Sequence, residues 1–256
     1  MTDLNAIAQI VDDAAFNATA IPQLSESGYA ISLQEAYEVQ KLSIKRRFER
    51  GEKLIGIKMG FTSKAKQVQM GLEDEIWGRL TDKMWIENGA EIDIQDYVHP
   101  RFEPELAFRI KHDINGVISR EEAIDALDAV APAIEIIDSR YANFKFNLPD
   151  VVADNSSSSS LVVGEWMDPN LDFRDLKMAL QVNGQTVQEG SSLAILGDPI
   201  QALMAGSRLA DTAGIVLKKD FIVMAGGATA AHALSKGDIA RNCVEFMNWP
   251  CFSVKF

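Results

Sequence analysis

The amino-acid sequence predicts an α+β fold, in which a helical amino-terminal part precedes a core rich in β-strands. Two segments before residue 51 carry apolar residues at helical spacing, whereas most of the chain after residue 75 has a strand-like pattern. The 256 residues contain no repeat, long linker or charge block that would separate two folding units. We therefore expect a single domain over 1–256, with a helical part and one strand in 1–75 and the β-rich core in 76–256.

The composition argues against several classes of partner. A formal net charge of −12 disfavours binding to nucleic acid or to an anionic membrane surface. No basic start precedes a long apolar run, and no stretch reaches the length of about 18 apolar residues that spans a bilayer. The two cysteines, Cys243 and Cys251, could form a disulfide, but so few cysteines are more typical of free buried thiols in a cytosolic protein. We expect a cytoplasmic protein without a membrane segment.

Local signals place the helices. Apolar spacing predicts an amphipathic helix over residues 1 to about 20. Ser32 and Glu35 form a capping box, in which each side chain bonds the other's backbone N–H, and open a second helix that ends near Arg50. A second capping box at 119–122 predicts a helix to about Val130. Asp198 before Pro199 predicts the start of a helix that continues to about Thr212.

The carboxy-terminal half has strand and turn signals. Leu176–Val182 and Gln185–Gln188 flank Asn183–Gly184, a typical type I′ turn pair, and are expected to form a hairpin. The five serines at 156–160 have the composition of a flexible loop. Residues 221–229 are expected to form a buried strand that ends in small residues, where a ligand could approach closely.

Three glutamates on two predicted strands are candidate metal ligands. In the extended segment 101–110, side chains alternate between two faces, so Glu103 and Glu105 point the same way. Glu135 lies in a second apolar strand, where an ionised carboxylate costs several kcal/mol unless it is paired or coordinated. Three carboxylates suit a hard cation such as Mg²⁺ or Mn²⁺.

A structural interpretation of the same residues stays open. Glu103 and Glu105 could face solvent on an edge strand, a position that tolerates the intervening Pro104. Glu135 could then be paired with an arginine such as Arg140. In that case a divalent metal would not change the melting temperature.

The predicted strand 54–60 carries a candidate active-site lysine. Lys58 points away from the apolar face and has Gly56 and Gly60 on its own side, which leaves room for a close approach. Thr62 and Ser63 follow, before a short helix expected over 64–70 that Gly71 ends. Hydroxyls and free N–H groups at a helix start can bind a carboxylate, although an exposed lysine and an ordinary cap would look the same.

Taken together, ordered motifs resemble the 2-oxopent-4-enoate hydratase and 4-oxalocrotonate decarboxylase family, within the fumarylacetoacetate hydrolase-like superfamily. The motifs cover most of the chain from about residue 25: Gly-Ile-Lys58-Met-Gly-Phe-Thr62-Ser63-Lys, Glu103-Pro-Glu105-Leu-Ala-Phe, Pro-Ala-Ile-Glu135-Ile-Ile-Asp-Ser-Arg140 and Ala-Asp154-Asn155-Ser-Ser. The resemblance implies a mixed β core built around a rolled sheet. It also implies that Glu103, Glu105 and Glu135 bind Mg²⁺ or Mn²⁺.

Two departures from the hydratase pattern indicate the decarboxylase branch. Ile76 stands where hydratases of the family typically carry an aspartate suited to adding water, and Gly-Gly-Ala-Thr229 replaces Gly-Ser-Phe-Thr. The resemblance therefore implies metal-dependent loss of CO₂ from 2-oxohex-3-enedioate, giving 2-hydroxypenta-2,4-dienoate in the meta-cleavage pathway for aromatic compounds. A hydratase of that dienoate, or a non-catalytic partner subunit of the hydratase, stays as an alternative.

The resemblance implies roles for further residues. Lys58 is the expected catalytic group. For the distal carboxylate, Arg79 could hold it as an ion pair, or apolar Ile76 and Trp77 could remove its water and favour its loss. The expected substrate-site residues are Thr62, Ser63, Ile76, Trp77, Arg79, Asn155 and Thr229.

The resemblance also implies partners. The substrate is a small 2-oxo dicarboxylate, and the family implies a complex with the pathway hydratase that consumes the unstable product. The sequence leaves open whether the chain forms a homo-oligomer.

Overall fold

A computed structural model describes residues 3–63, 67–68, 73–247 and 250–254. The α-helices that lie wholly within these residues are α1 (Leu4–Phe16), α2 (Leu33–Glu49), α3 (Arg120–Asp125), α4 (Leu148–Ala153) and α5 (Ile200–Thr212). The helix expected over 64–70 falls mostly outside the described residues. No helix in the described part of the chain has the length and apolar character needed to cross a bilayer.

Thirteen β-strands follow one another along the described residues: β1 (Leu54–Gly60), β2 (Ile76–Thr81), β3 (Trp85–Ile86), β4 (Glu91–Ile92), β5 (Arg101–Ile110), β6 (Leu127–Ile137), β7 (Ser158–Val163), β8 (Lys177–Val182), β9 (Gln185–Ser191), β10 (Ile222–Met224), β11 (His232–Ala233), β12 (Ile239–Val244) and β13 (Cys251–Val254). Together with the helices they confirm the predicted α+β class.

The strands form two sheets. The larger sheet has the order β2-β1-β10-β5-β6-β7-β3, with β11 added beside the start of β5. It is mixed, because β1 is parallel to β10 and β3 to β7, while the other pairs are antiparallel. The smaller sheet has the order β4-β13-β12-β8-β9. The strands β5 and β6 therefore lie inside the larger sheet, paired on both sides.

The two faces of the larger sheet have different partners. Ile57, Phe108 and Val223 lie on one face and pack in the cluster that contains α5. Phe102 and Ile136, further along that face, pack against apolar residues of the smaller sheet. The opposite face carries the glutamates, and beside them a further apolar cluster that includes Ala107, Leu161 and Met224.

The sheet is strongly curled. β1 and β6 are three strand steps apart, which is about 14 Å in a flat sheet. Lys58 of β1 nevertheless lies 3.1 Å from Glu135 of β6. Side chains stand roughly perpendicular to a sheet, so a lysine and a glutamate this far apart on a flat sheet would not meet. The contact therefore indicates a sheet that rolls around this face, as the resemblance implied.

Most local predictions are confirmed. The capping box of α2 forms with both hydrogen bonds, which is typically worth about 1 kcal/mol of helix stability. Asn183 and Gly184 adopt the positive φ angles of 52° and 80° that a type I′ turn requires. The single-domain prediction stays a prediction, supported by the pairing of β1, from the helical part, with β10 of the core.

Three local predictions were wrong, two of them about where an element ends and one about the serine run. The helix that starts after Ser119 ends at Asp125, because the chain continues as β6 from Leu127, which pairs with Ile110. The serine run is not a loop. It forms a 3-10 turn (Asn155–Ser157) and the first half of β7, most of it buried, because β7 pairs with β6. The strand expected over 221–229 ends at Met224.

Candidate metal centre and active site

The three glutamates meet on one face of the larger sheet. In the antiparallel pairing of β5 with β6, Glu103 lies opposite Glu135, and Glu105 follows two residues later on the same face. One carboxylate oxygen from each residue lies within 4.8 Å of the others. The exposed fractions are 8% for Glu103, 0% for Glu105 and 1% for Glu135. The solvated-edge interpretation was therefore wrong.

Burial makes ionisation of these carboxylates costly. Desolvation, followed by repulsion from Glu135 and Glu103, raises the pKa of Glu105 well above its ordinary value. Desolvation also raises the pKa of Glu135, although the nearby Lys58 opposes this shift. A positive charge in addition to that of Lys58 would offset the cost of ionisation, because it favours the ionised form of each of the three carboxylates.

Among the described residues, Lys58 is a cation that faces this group. The register of β1 with β10, and of β10 with β5, puts Lys58 on the same face as Ala107 and the glutamates. Its Nζ lies 3.1 Å from Oε1 and 3.2 Å from Oε2 of Glu135. The alternative partner Arg140 is instead bonded to Asp154. The structural alternative, in which Glu135 pairs with an arginine such as Arg140, was therefore wrong.

The Gly226–Gly227 backbone closes over the carboxylates. Gly226 N–H donates a hydrogen bond of 2.9 Å to Oε2 of Glu105. A Cβ at Gly227 would lie 2.5 Å from Oε2 of Glu103, and a Cβ at Gly226 would lie 2.1 Å from Oγ1 of Thr62. The close approach expected at these small residues is thus made by protein groups, namely two of the glutamates and Thr62.

The donor set fits a hard divalent cation. Oε1 of Glu105 is buried and has no hydrogen-bond partner in the described residues, which is unfavourable for a carboxylate oxygen in the interior. Three carboxylates offer only oxygen ligands, as Mg²⁺ and Mn²⁺ prefer, and no histidine or cysteine belongs to the group found in the described chain. Glu103, Glu105 and Glu135 are the residues that could hold the ion.

A cavity of about 480 Å³ meets this group at Glu103 and Lys58. This volume is within the usual range for small-molecule sites. The cavity wall contains Lys58, Thr62, Ile76 and Glu103, with Ser156 and Ser157 from the 3-10 turn. Its other described side chains are mainly apolar, and include Ile137, Phe144, Phe146 and Val151. The cavity wall thus combines a few charged and hydroxyl side chains with a larger number of apolar ones.

Arg79 and Trp77 do not line this cavity. Arg79 pairs with Ile57 and Trp77 with Met59, so both point to the sheet face opposite Lys58. There the Arg79 guanidinium lies 4.6 Å from the Trp77 ring centroid and is hydrogen-bonded to Gln40. Burial lowers the pKa of Arg79 to about 10. The two residues therefore lie outside this cavity, on the other face of the sheet from the glutamates.

Asn155, Thr229 and Ser63 are also absent from the described cavity wall. The Asn155 side chain accepts a hydrogen bond from Arg79 N–H and donates one to Arg79 C=O, so it holds β2 in place. The Thr229 hydroxyl donates to the carbonyl of Ala230. Of the expected substrate-site residues, the structure brings Thr62 and Ile76 to the cavity.

Sequence reasoning missed several wall residues. Ser157 is buried, has φ of 58°, and its hydroxyl has no hydrogen-bond partner in the described residues. It was missed because the composition of the serine run indicated a flexible loop. Phe144 and Phe146 come from a connection whose sequence gave no functional signal. Arg101 was detectable, since it precedes Glu103 by two residues and therefore lies on the same strand face.

Comparisons with known proteins agree with this geometry. Residues 53–247 match the family model for the fumarylacetoacetate (FAA) hydrolase C-terminal domain. The chain is 49% identical to a 4-oxalocrotonate decarboxylase of a Pseudomonas species over 98% of this chain and 97% of the relative. It is 31% identical to a 2-hydroxyhexa-2,4-dienoate hydratase of Comamonas testosteroni over 92% and 91% of the two chains.

A solved structure is similar over nearly the whole length. It is a 4-oxalocrotonate decarboxylase from Pseudomonas putida G7, complexed with magnesium and adipate, with a TM-score of 0.93 and 33% identity. The match covers 98% of this chain and 97% of that one. The family model, the sequence relatives and the structural match thus agree with one another. The chain belongs to the fumarylacetoacetate hydrolase family.

Proposed function

We propose that this chain is a divalent-metal-dependent decarboxylase that converts 2-oxohex-3-enedioate into 2-hydroxypenta-2,4-dienoate and CO₂. The observation that carries the proposal is a buried group of three carboxylates and a lysine, which meets a largely apolar cavity at Glu103 and Lys58. The 49% identity to a named 4-oxalocrotonate decarboxylase supports the same reaction. The alternatives were a dienoate hydratase and a non-catalytic subunit, and a subunit without activity would not need this buried charged group.

Glu103, Glu105 and Glu135 would hold the cation, Mg²⁺ or Mn²⁺. When bound there, the cation supplies Lewis-acid chemistry that holds a 2-oxo acid and withdraws electrons from its carbonyl group. The magnesium complex of the similar Pseudomonas putida enzyme supports this cofactor. The glutamates contribute three negative charges and Lys58 one positive charge, so a divalent cation leaves the group neutral.

Lys58 is the proposed proton donor. As the bond to the departing carboxylate breaks, its electron pair moves through the conjugated double bond onto the 2-oxo oxygen. Lys58 donates a hydrogen bond and then a proton to that oxygen, which gives the dienol product. Its position on the same sheet face as the glutamates supports this role, because the proton must be delivered where the charge develops.

The apolar walls favour loss of CO₂ over addition of water. Ile76 belongs to the cavity wall, and the titratable side chains of the described wall are Lys58, Arg101 and Glu103. Hydration requires a further acid or base that delivers water and a proton to the far end of the dienoate. Apolar surroundings also remove water from a carboxylate, which makes its departure as neutral CO₂ easier. We propose roles in shaping this cavity for Thr62, Ile76 and Ser157.

Metal removal tests the proposed reaction. Purified protein is expected to release CO₂ from 2-oxohex-3-enedioate, to lose this activity with EDTA, and to recover it when Mg²⁺ or Mn²⁺ is added back. The measurement is CO₂ formation together with the absorbance of the dienoate product. Water addition to the dienoate without CO₂ release would establish the hydratase instead. Activity that EDTA does not change would contradict the metal role.

The stabilisation by metal is expected to depend on pH. In the metal-free fold, burial raises the pKa values of Glu105 and Glu135 above their unfolded values. Their contribution to folding stability is therefore present at low pH and lost as the pH rises through the raised pKa values. Because the cation binds the ionised forms, we expect Mg²⁺ to raise Tm little near pH 5 and by about 5–10 °C near pH 8 at saturation. Scanning calorimetry with Mg²⁺ or EDTA measures the difference, and a Tm shift that shrinks with rising pH would contradict it.

We also propose that the chain works in the cytoplasm, in a complex with the hydratase that consumes its product. The product is a dienol that tautomerises in water, so direct transfer would limit its loss. Cys243 and Cys251 are free thiols, as is typical of proteins in a reducing compartment. Light scattering after size-exclusion chromatography of the mixed enzymes, at about micromolar concentration, is expected to show one joint species. Separate elution under these conditions would contradict the complex.

A further inference from the structure

Arg101 is a cation in the cavity wall to which neither the resemblance nor the mechanism above gives a role. It opens β5 and lies on the face of Glu103, two residues away, which corresponds to about 7 Å along the strand. It has no carboxylate partner among the described residues, and its guanidinium carbon lies 4.2 Å from the centroid of the Phe144 ring. Arg101 is therefore available to a ligand.

The spacing along β5 between Arg101 and Glu103, about 7 Å, is comparable to the length of a six-carbon dicarboxylate. A chain of five carbon–carbon bonds is about 6 Å long when extended. A substrate whose 2-oxo acid lies at the glutamates can thus reach Arg101 with its other carboxylate. The charges agree as well, because the metal-filled group is neutral and Lys58 is already paired with Glu135.

The surroundings of Arg101 hold its side chain in the wall. Phe144 has φ of 57°, a left-handed conformation that costs energy in a non-glycine residue. Its N–H donates a hydrogen bond of 2.9 Å to Nε2 of His99, which fixes the backbone in this conformation. The ring can then stack on the guanidinium and cover it. A planar guanidinium fixed in this way can bind a carboxylate through two parallel hydrogen bonds.

We propose that Arg101 binds the distal carboxylate of the substrate and so makes the site specific for 2-oxo dicarboxylates. This inference rests on the proposed function and assigns to Arg101 the task that the sequence suggested for Arg79. The ion pair holds the carboxylate before the reaction, and the apolar walls near it disfavour its charge. Arg101 therefore contributes mainly to KM and to the choice of substrate, and less to kcat.

Two inert analogues separate recognition from catalysis. 2-Oxoadipate and 2-oxohexanoate have the same six carbons and the same 2-oxo acid, and differ only in the distal carboxylate. We expect the wild type with Mg²⁺ to bind 2-oxoadipate about 10- to 100-fold more tightly in calorimetry. Arg101→Ala should bind both analogues with the affinity that the wild type has for 2-oxohexanoate. Arg101→Lys should keep part of the preference, since it keeps the charge but loses the paired geometry.

Controls make each outcome decisive. Arg109→Ala, at the other end of β5 and paired with Asp128, should keep the wild-type preference. If Arg101→Ala weakens both analogues equally, Arg101 only supports the fold through Phe144, and the proposal is overturned. It is also overturned if the wild type shows no preference or if Arg101→Ala retains it. A wild type that prefers 2-oxoadipate but releases no CO₂ would instead refute the proposed reaction and leave the role of Arg101 intact.

Discussion

Glu105→Gln is expected to reduce CO₂ release by about a thousandfold or more. The substitution keeps the shape of the side chain but removes one of the three proposed anionic ligands at a completely buried position. Losing the several kcal/mol of transition-state stabilisation that a metal supplies corresponds to about three orders of magnitude in rate. Initial rates at saturating Mg²⁺, with the Mg²⁺-dependent rise in Tm, measure both consequences.

A stability measurement distinguishes this result from misfolding. Without metal, Glu105→Gln should be at least as stable as the wild type near pH 8, because it removes a buried carboxylate whose pKa is raised by desolvation and by its neighbours. Glu189→Gln, at an exposed position of β9, should retain wild-type activity and the full Tm response. If Glu105→Gln keeps both the rate and the Mg²⁺ response, Glu105 is not a ligand.

Lys58→Met is expected to lower kcat by about 100- to 10,000-fold. Methionine fills a similar volume but offers no proton, so the developing negative charge on the 2-oxo oxygen loses its donor. The effect on Mg²⁺ binding should be small or favourable, because removing a positive charge leaves the three carboxylates more attractive to a cation. Steady-state kinetics and Mg²⁺ titration by calorimetry separate the two effects.

The matched control for Lys58 is Lys177→Met. Lys177 also lies on a strand, but it is exposed on β8 and far in sequence from the candidate site. It should retain the wild-type rate. A kcat of Lys58→Met within threefold of the wild type would remove Lys58 from the chemical step, whatever happens to metal affinity. A loss of activity that higher Mg²⁺ restores completely would show that Lys58 acts only through the metal.

The sequence predicted those parts of the site that depend on local chemistry. The spacing of Glu103 and Glu105 was enough to put both carboxylates on one strand face, since side chains alternate with a period of two. The apolar neighbours of Glu135 indicated a buried carboxylate that needs compensation. The capping residues of α2 and the Asn183–Gly184 turn likewise satisfy their hydrogen bonds and φ angles within a few residues.

The choice among arginines could not be made locally. Arg79 and Arg101 both lie on strands of the same sheet, and only strand pairing decides which face each one uses. Because Lys58 pairs with Gly78, the neighbouring Arg79 must point to the opposite face. Arg101 shares the face of Glu103 and therefore reaches the cavity. A shift of one residue in the pairing of β1 with β2 would reverse the assignment of Arg79.

By itself, then, the sequence determined the α+β class, the family resemblance and the identity of the carboxylates, because each depends on short-range patterns. Tertiary structure alone decided that Glu103 lies opposite Glu135, that the curled sheet brings Lys58 within 3.1 Å of Glu135, and that the serine run is buried. Tertiary structure also decided that Arg101 lines the cavity and that Arg79 lies on the opposite face of the sheet. These features depend on strand register and sheet curvature, which arise from contacts between residues far apart in the chain.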